Sequence, residues 1–127
     1  MTGLALITGV SGGIGSATAR ALPTESWSVI GLDVRPPPPD LSDRITYAEC
    51  DLSDAEAISH AVATTIGDQA LNALINNAAI QVNKPLAETT NDEWELVMNT
   101  NVRSAFVCMR ETHAALVHAK GAIVNVA

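Results

Sequence analysis

Positive charge is scarce in this chain: seven Lys and Arg stand against fourteen Asp and Glu, for a net charge of −7. Proteins that bind nucleic acid or an anionic membrane neutralise phosphates with clustered basic side chains. No Lys/Arg cluster occurs, so neither is expected as the main partner. Cysteine is nearly absent too. Cys50 and Cys108 lie far apart, form no C-x-x-C pair, and make no metal-ligand cluster with His60, His113 or His118. No metal site is expected, and a reduced, cytoplasmic setting is. Long apolar runs are also missing. Nothing approaches the roughly 20 residues of a membrane-spanning helix, and the opening MTGLALITG has neither the basic start nor the apolar length of a signal peptide. A soluble chain with no membrane partner is expected.

What is present reads as a globular protein: 127 residues, 47% hydrophobic and 17% charged, enough to bury a core. Short apolar runs alternate with longer helical patterns. Residues 4–7, 28–32, 45–48, 71–75 and 122–126 read as buried strands. Between them, residues 13–22 carry Ile14, Ala17, Ala21 and Leu22 at helical spacing. Residues 53–66 open with Ser53-Asp54-Ala55-Glu56, read as a capping box. Thr90-Asn91-Asp92-Glu93 repeats that signal ahead of one long helix to about position 118. Its apolar stripe runs through Trp94, Met98, Ala105, Cys108 and Met109, with Asn101 in the same row. The alternation implies an α/β fold, a parallel sheet covered by helices on both faces. Four prolines at 36–39 mark a stiff surface loop after the second strand. No internal repeat or domain boundary interrupts residues 1–127.

The first apolar run passes into Thr8-Gly9-Val10-Ser11-Gly12-Gly13-Ile14-Gly15. A strand that enters a glycine turn and then a helix leaves the helix's first N–H groups unpaired, at the positive end of its dipole. Such a turn is a phosphate site, with glycines letting the backbone approach a pyrophosphate. The strict G-x-G-x-x-G spacing is absent, since Thr18 stands where the third glycine would fall. A glycine turn that merely joins strand to helix therefore stays open on this stretch alone. Asp33 closes the second strand 20 positions after Gly13, where a carboxylate accepts from the adenosine ribose of NAD and repels a 2′-phosphate. Arg35 follows two residues on and blunts that repulsion. NAD is preferred, with NADP the lesser alternative.

These residues resemble the short-chain dehydrogenase/reductase family. Thr8 to Gly15 matches its TGxxxGxG loop, and the TGxxGxxG loop of its epimerase-like branch fits equally well because Gly12 is also glycine. Asn76-Asn77-Ala78-Ala79 resembles the NNAG motif of the first branch, with alanine in place of the last glycine. Asp51-Leu52 resembles the acidic-apolar pair that contacts adenine, Asn101 falls at the helix asparagine of the catalytic tetrad, and GAIVNVA resembles the strand leading to the catalytic serine.

The resemblance implies a Rossmann-type doubly wound sheet in the order 3-2-1-4-5, incomplete at its fifth-strand edge. It implies cofactor contacts from Gly9, Ser11, Gly12, Gly13, Ile14, Gly15, Asp33, Val34, Asp51, Leu52, Asn77, Ala78 and Ala79. It assigns Asn101 to a proton relay and makes the substrate a small alcohol or carbonyl compound, interconverted by hydride transfer. Asn76 and Asn77 also suit the tying of neighbouring strands through their amides.

The family's serine and its tyrosine with a lysine four residues later lie beyond Ala127, and the one tyrosine present, Tyr47, has no lysine at that spacing. Residues 1–127 are thus expected to be the cofactor-binding first half of such an enzyme, inactive alone, with a complementary segment or a second copy covering the fifth strand. A non-catalytic dinucleotide-binding module is the alternative, and flavin or a sugar nucleotide at the same loop stays open.

Overall fold

The computed structural model describes residues 2–127. Each short apolar run forms a strand close to its expected place: β1 (Gly3–Thr8), β2 (Trp27–Asp33), β3 (Thr46–Glu49), β4 (Ala73–Asn76) and β5 (Ala122–Asn125). All neighbours pair in parallel, in the order β3-β2-β1-β4-β5. The connecting helices are α1 (Gly13–Ala21), the single turn α2 (Pro39–Ser42), α3 (Ala55–Thr65), α4 (Asn91–Met98) and α5 (Ser104–Ala119). None of the described helices is long and apolar enough to cross a membrane.

The central strands β1 and β4 are largely apolar because both faces of the sheet are covered there. Side chains alternate across a strand, so β1 sends Ala5 and Ile7 to one face and Leu6 to the other. Ala5 and Ile7 pack with Val29, Ala19 of α1 and Leu41 of α2. Leu6 packs with Ile30, Leu32 and Leu74, beneath Ile58 and Val62 of α3 and Val107 and Leu116 of α5. Each such fully buried Leu or Ile stabilises the fold by about 1.5–3 kcal/mol.

Two helix starts differ in kind. At Thr90 the capping box forms as expected: Thr90 Oγ1 accepts from Glu93 N at 3.2 Å and Glu93 Oε2 accepts from Thr90 N at 3.0 Å. At α3 the expected box does not form. Asp54 is the cap, its Oδ1 accepting from Glu56 N at 3.0 Å and Ala57 N at 3.2 Å. Ser53 is drawn away because its N–H and Oγ both donate to Asp51 Oδ1, at 2.9 and 2.7 Å.

The expected single long helix is also corrected. Residues Asn99–Arg103 form a π-helical segment between α4 and α5, and the extra residue in each such turn shifts the register. The stripe from Trp94 to Met109 therefore does not stay on one face. Trp94 is 59% exposed, while α5 buries Ser104, Val107, Cys108, Thr112 and Leu116.

β5 is hydrogen-bonded to β4 and forms the sheet's edge. Ile123, Val124 and Val126 are 43%, 51% and 40% exposed. Apolar side chains on both of its faces are thus left about half exposed.

Candidate functional site

In a parallel sheet the carboxyl ends of the strands share one side, and ligands of such folds bind in the crevice there. The ends of β1 to β4 open into a cleft of about 700 Å³. Its walls are Gly9, Gly12, Gly13 and Ile14 after β1, Asp33 to Arg35 after β2, Cys50 to Ser53 after β3 and Asn77 to Ile80 after β4. Leu96 and Thr100 add to them from the α4 side.

The glycines of the first wall do different things. Gly9 has φ +68°, a left-handed conformation that favours glycine, and a Cβ there would come within 2.9 Å of Ala78 Cα. At Gly15 a Cβ would lie 2.1 Å from the Gly9 carbonyl oxygen, so this glycine serves close packing behind the wall. A Cβ on Gly12 would meet only Gly9 O, at 3.5 Å, and one on Gly13 would meet nothing within 4 Å. The bare sides of Gly12 and Gly13 leave open space where α1 begins. No side chain caps α1, whereas Asp54 and Thr90 cap α3 and α4. Uncapped N–H groups, a helix dipole and an unfilled space together suit an anion.

Ser11 does not border the cleft. Its N–H donates to Asp33 Oδ2 at 3.0 Å and its hydroxyl to the Arg35 carbonyl at 2.7 Å. Asp33 is 8% exposed and also accepts from Arg35 N at 3.1 Å through Oδ1. Two backbone donors thus orient the carboxylate and leave it further lone pairs. Tyr47 donates its hydroxyl to the Asp33 carbonyl at 3.0 Å. This tyrosine ties β3 to β2, and burial pushes its pKa up. Ile14 and Val34 stand largely exposed on the rim.

On the third wall the hydrogen bonds from Ser53 hold the Asp51 carboxyl below its ordinary value. Leu52 is buried except where it borders the cleft. Desolvation pushes the Cys50 thiol up to about 11. At neutral pH it is a protonated, poorly nucleophilic group.

The fourth wall is knotted to the first. Thr8 Oγ1 accepts from the N–H groups of Asn77 and Ala78, both at 3.0 Å, and Asn77 Nδ2 donates to the carbonyls of Thr8 and Gly9 at 3.1 and 3.2 Å. Asn76 Nδ2 donates to Asn125 Oδ1 at 2.9 Å, joining β4 to β5. The side-chain amides tie strands as expected. Among the described residues Lys120 alone has positive φ without being glycine, so Ala79 sits in an ordinary conformation and its Cβ costs no backbone strain. Asn101 lies in the π-helical segment, outside the cleft lining. Its Oδ1 accepts from Ile80 N at 2.8 Å and its Nδ2 donates to Ile80 O at 2.9 Å. It anchors the loop after β4.

Eleven of the thirteen expected cofactor contacts therefore border one cleft, while Ser11 and Gly15 do not. Arg35, Cys50, Ser53 and Ile80 also border it and were not among those contacts. Each is a sequence neighbour of an expected contact, and that adjacency was their signal. Leu96 and Thr100 carried none.

A family model described as short chain dehydrogenase matches residues 3–127. The chain is 34% identical over 129 residues to the short chain dehydrogenase ausX of Emericella nidulans, across 96% of this chain and 65% of that protein. It is 29% identical over 132 residues to serine 3-dehydrogenase of Agrobacterium fabrum, across 98% of this chain and 53% of that protein. A metagenomic short-chain oxidoreductase solved in complex with NADP superposes with a TM-score of 0.83 at 26% identity, over 97% of this chain and 61% of that one. Thermoplasma acidophilum aldohexose dehydrogenase shares the fold, with a TM-score of 0.88 at 21% identity over 98% of this chain and 48% of that one. The chain thus spans between half and two-thirds of the length of these two curated relatives.

Proposed function

Because the chain belongs to the short-chain dehydrogenase family, we propose that its cleft binds a nicotinamide dinucleotide for an oxidoreductase that interconverts an alcohol and a carbonyl compound. The observation that carries this reading is the open space over Gly12 and Gly13 at the uncapped start of α1, which suits a pyrophosphate.

The remaining walls take their roles from chemistry and position. Asp33, oriented by the N–H groups of Ser11 and Arg35, accepts from the adenosine ribose hydroxyls. Asp51 and Leu52 supply an acceptor and an apolar face for adenine, and Asn77 to Ala79 border the next ribose. The fixed carboxylate of Asp33 favours NAD over NADP. Arg35 beside it, and the NADP held by a structural relative, argue that the preference is moderate.

When bound, the nicotinamide supplies hydride exchange, and the protein's part is binding and orientation. Asn101 holds the Ile80 backbone by both its polar groups and so fixes the loop nearest the reacting end. Proton transfer at the substrate oxygen needs the serine and the Tyr-x-x-x-Lys pair of the family, which these 127 residues do not contain. Residues 1–127 thus supply the cofactor-binding part of that chemistry.

Titration calorimetry with NAD tests the reading. A valine at position 13 meets no protein atom at its Cβ, so Gly13→Val should fold normally. Its side chain fills the pyrophosphate space, and affinity should fall on the order of 100-fold. A variant with unchanged unfolding and unchanged NAD affinity would refute the phosphate site.

A further inference from the structure

We propose that Arg103 is a positioning residue for the adenine end of the cleft, acting through the backbone carbonyl of Ser53. The inference rests on the dinucleotide reading above and adds a residue to it.

Arg103 closes the π-helical segment Asn99–Arg103, and its guanidinium donates through Nη2 to the Ser53 carbonyl, 50 positions away in sequence. The other two polar groups of Ser53, its N–H and hydroxyl, are both taken by Asp51 Oδ1. All three polar groups of Ser53 are thus held, two from within the loop and one from across the molecule. Asp51, Leu52 and Ser53 border the cleft in succession, and α3 is capped at the next residue, Asp54. The loop is fixed at the point where it passes from cleft wall to helix.

The charge of Arg103 goes to this carbonyl and not to a carboxylate. Among the described residues the ion pairs are Arg20–Asp40, Lys84–Glu93 and Arg110–Glu111, and Arg103 is in none of them. The same π segment carries Asn101, which holds Ile80 on the opposite wall. One irregular turn therefore braces both the β3 loop and the β4 loop. A wall held in place before the ligand arrives saves the ordering cost of binding. Removing the brace returns that cost to the adenine contacts while leaving the α1 anion site untouched.

The test compares two probes on the purified protein by titration calorimetry: ADP, which reaches both regions, and inorganic pyrophosphate, which shares the anion and lacks the adenosine. Arg103→Ala should weaken ADP about tenfold, the loss expected of a charged hydrogen bond, and change pyrophosphate by less than about twofold. Arg103→Lys, which keeps a charged donor, should recover most of the ADP affinity. Arg103→Met keeps the aliphatic stem without a donor. It should reproduce the alanine result, and it carries the test if the alanine variant does not fold. Unchanged ADP affinity in the alanine and methionine variants would overturn the proposal. So would equal losses for both probes with a lowered unfolding midpoint, which would reduce Arg103 to a structural tie between the π-helical segment and the loop after β3. Failure of the unaltered protein to bind ADP would instead bring down the dinucleotide reading, and this inference with it.

Discussion

Asp33 shows how much one side chain settles. Its carboxylate is held by the N–H groups of Ser11 and Arg35, at 3.0 and 3.1 Å, so it cannot turn away from a 2′-phosphate to relieve repulsion. Replacing it with alanine is expected to weaken NAD about tenfold and to spare or improve NADP. Titrating both nucleotides against the variant checks this, and an unaltered ratio of affinities would remove Asp33 from the site. Most of the cleft's residues were legible in the sequence because strand ends are places sequence can find: Asp33, Asp51 and Asn77 each follow an apolar run. Illegible was the direction each turn residue faces. Gly12 and Gly15 look alike in a motif, yet Gly15 packs against Gly9 while Gly12 meets that same carbonyl only at an ordinary contact distance. Ser11 turns to Arg35, a partner on another strand's loop that no local spacing reveals.

Among the elements, helix starts offer the sharpest check. The box at Thr90 satisfies two backbone donors at once, and Lys84 Nζ sits 2.6 Å from Glu93 Oε1 beside it. Thr90→Ala strips the acceptor from Glu93 N and should cost about 1 kcal/mol in urea unfolding. A variant as stable as the parent would mean that α4 is held by its packing and not its cap. The failed reading at Ser53 has a related cause: two acidic residues, Asp51 and Asp54, flank it, and Asp51 captured the serine before the helix could use it. The π-helical segment was invisible for a different reason. No proline or glycine interrupts residues 91–119, and the widening at Asn99–Arg103 accompanies bonds from Asn101 to Ile80 and from Arg103 to Ser53, both long-range in sequence.

For the molecule as a whole, the parallel α/β layering was within reach of the strand–helix alternation, whereas the strand order 3-2-1-4-5 came from the family resemblance. The open flank was legible too, because β5 is apolar on both faces. With Ile123, Val124 and Val126 all at least 40% exposed, the 127-residue chain purified by itself should self-associate through this edge. Val124→Lys should shift it toward monomer in sedimentation velocity, and a parent chain that sediments as a monomer would contradict the expectation. The cleft's construction also carries a consequence in time. Its walls come from residues 9–14, 33–35, 50–53 and 77–80, brought together by parallel pairing across long stretches of chain, which is slow to form. The complete cleft needs all four of these loops in place, which β pairing achieves only late. A bound nucleotide should therefore leave the refolding rate nearly unchanged and act by retarding unfolding, lengthening the life of a molecule it did nothing to assemble.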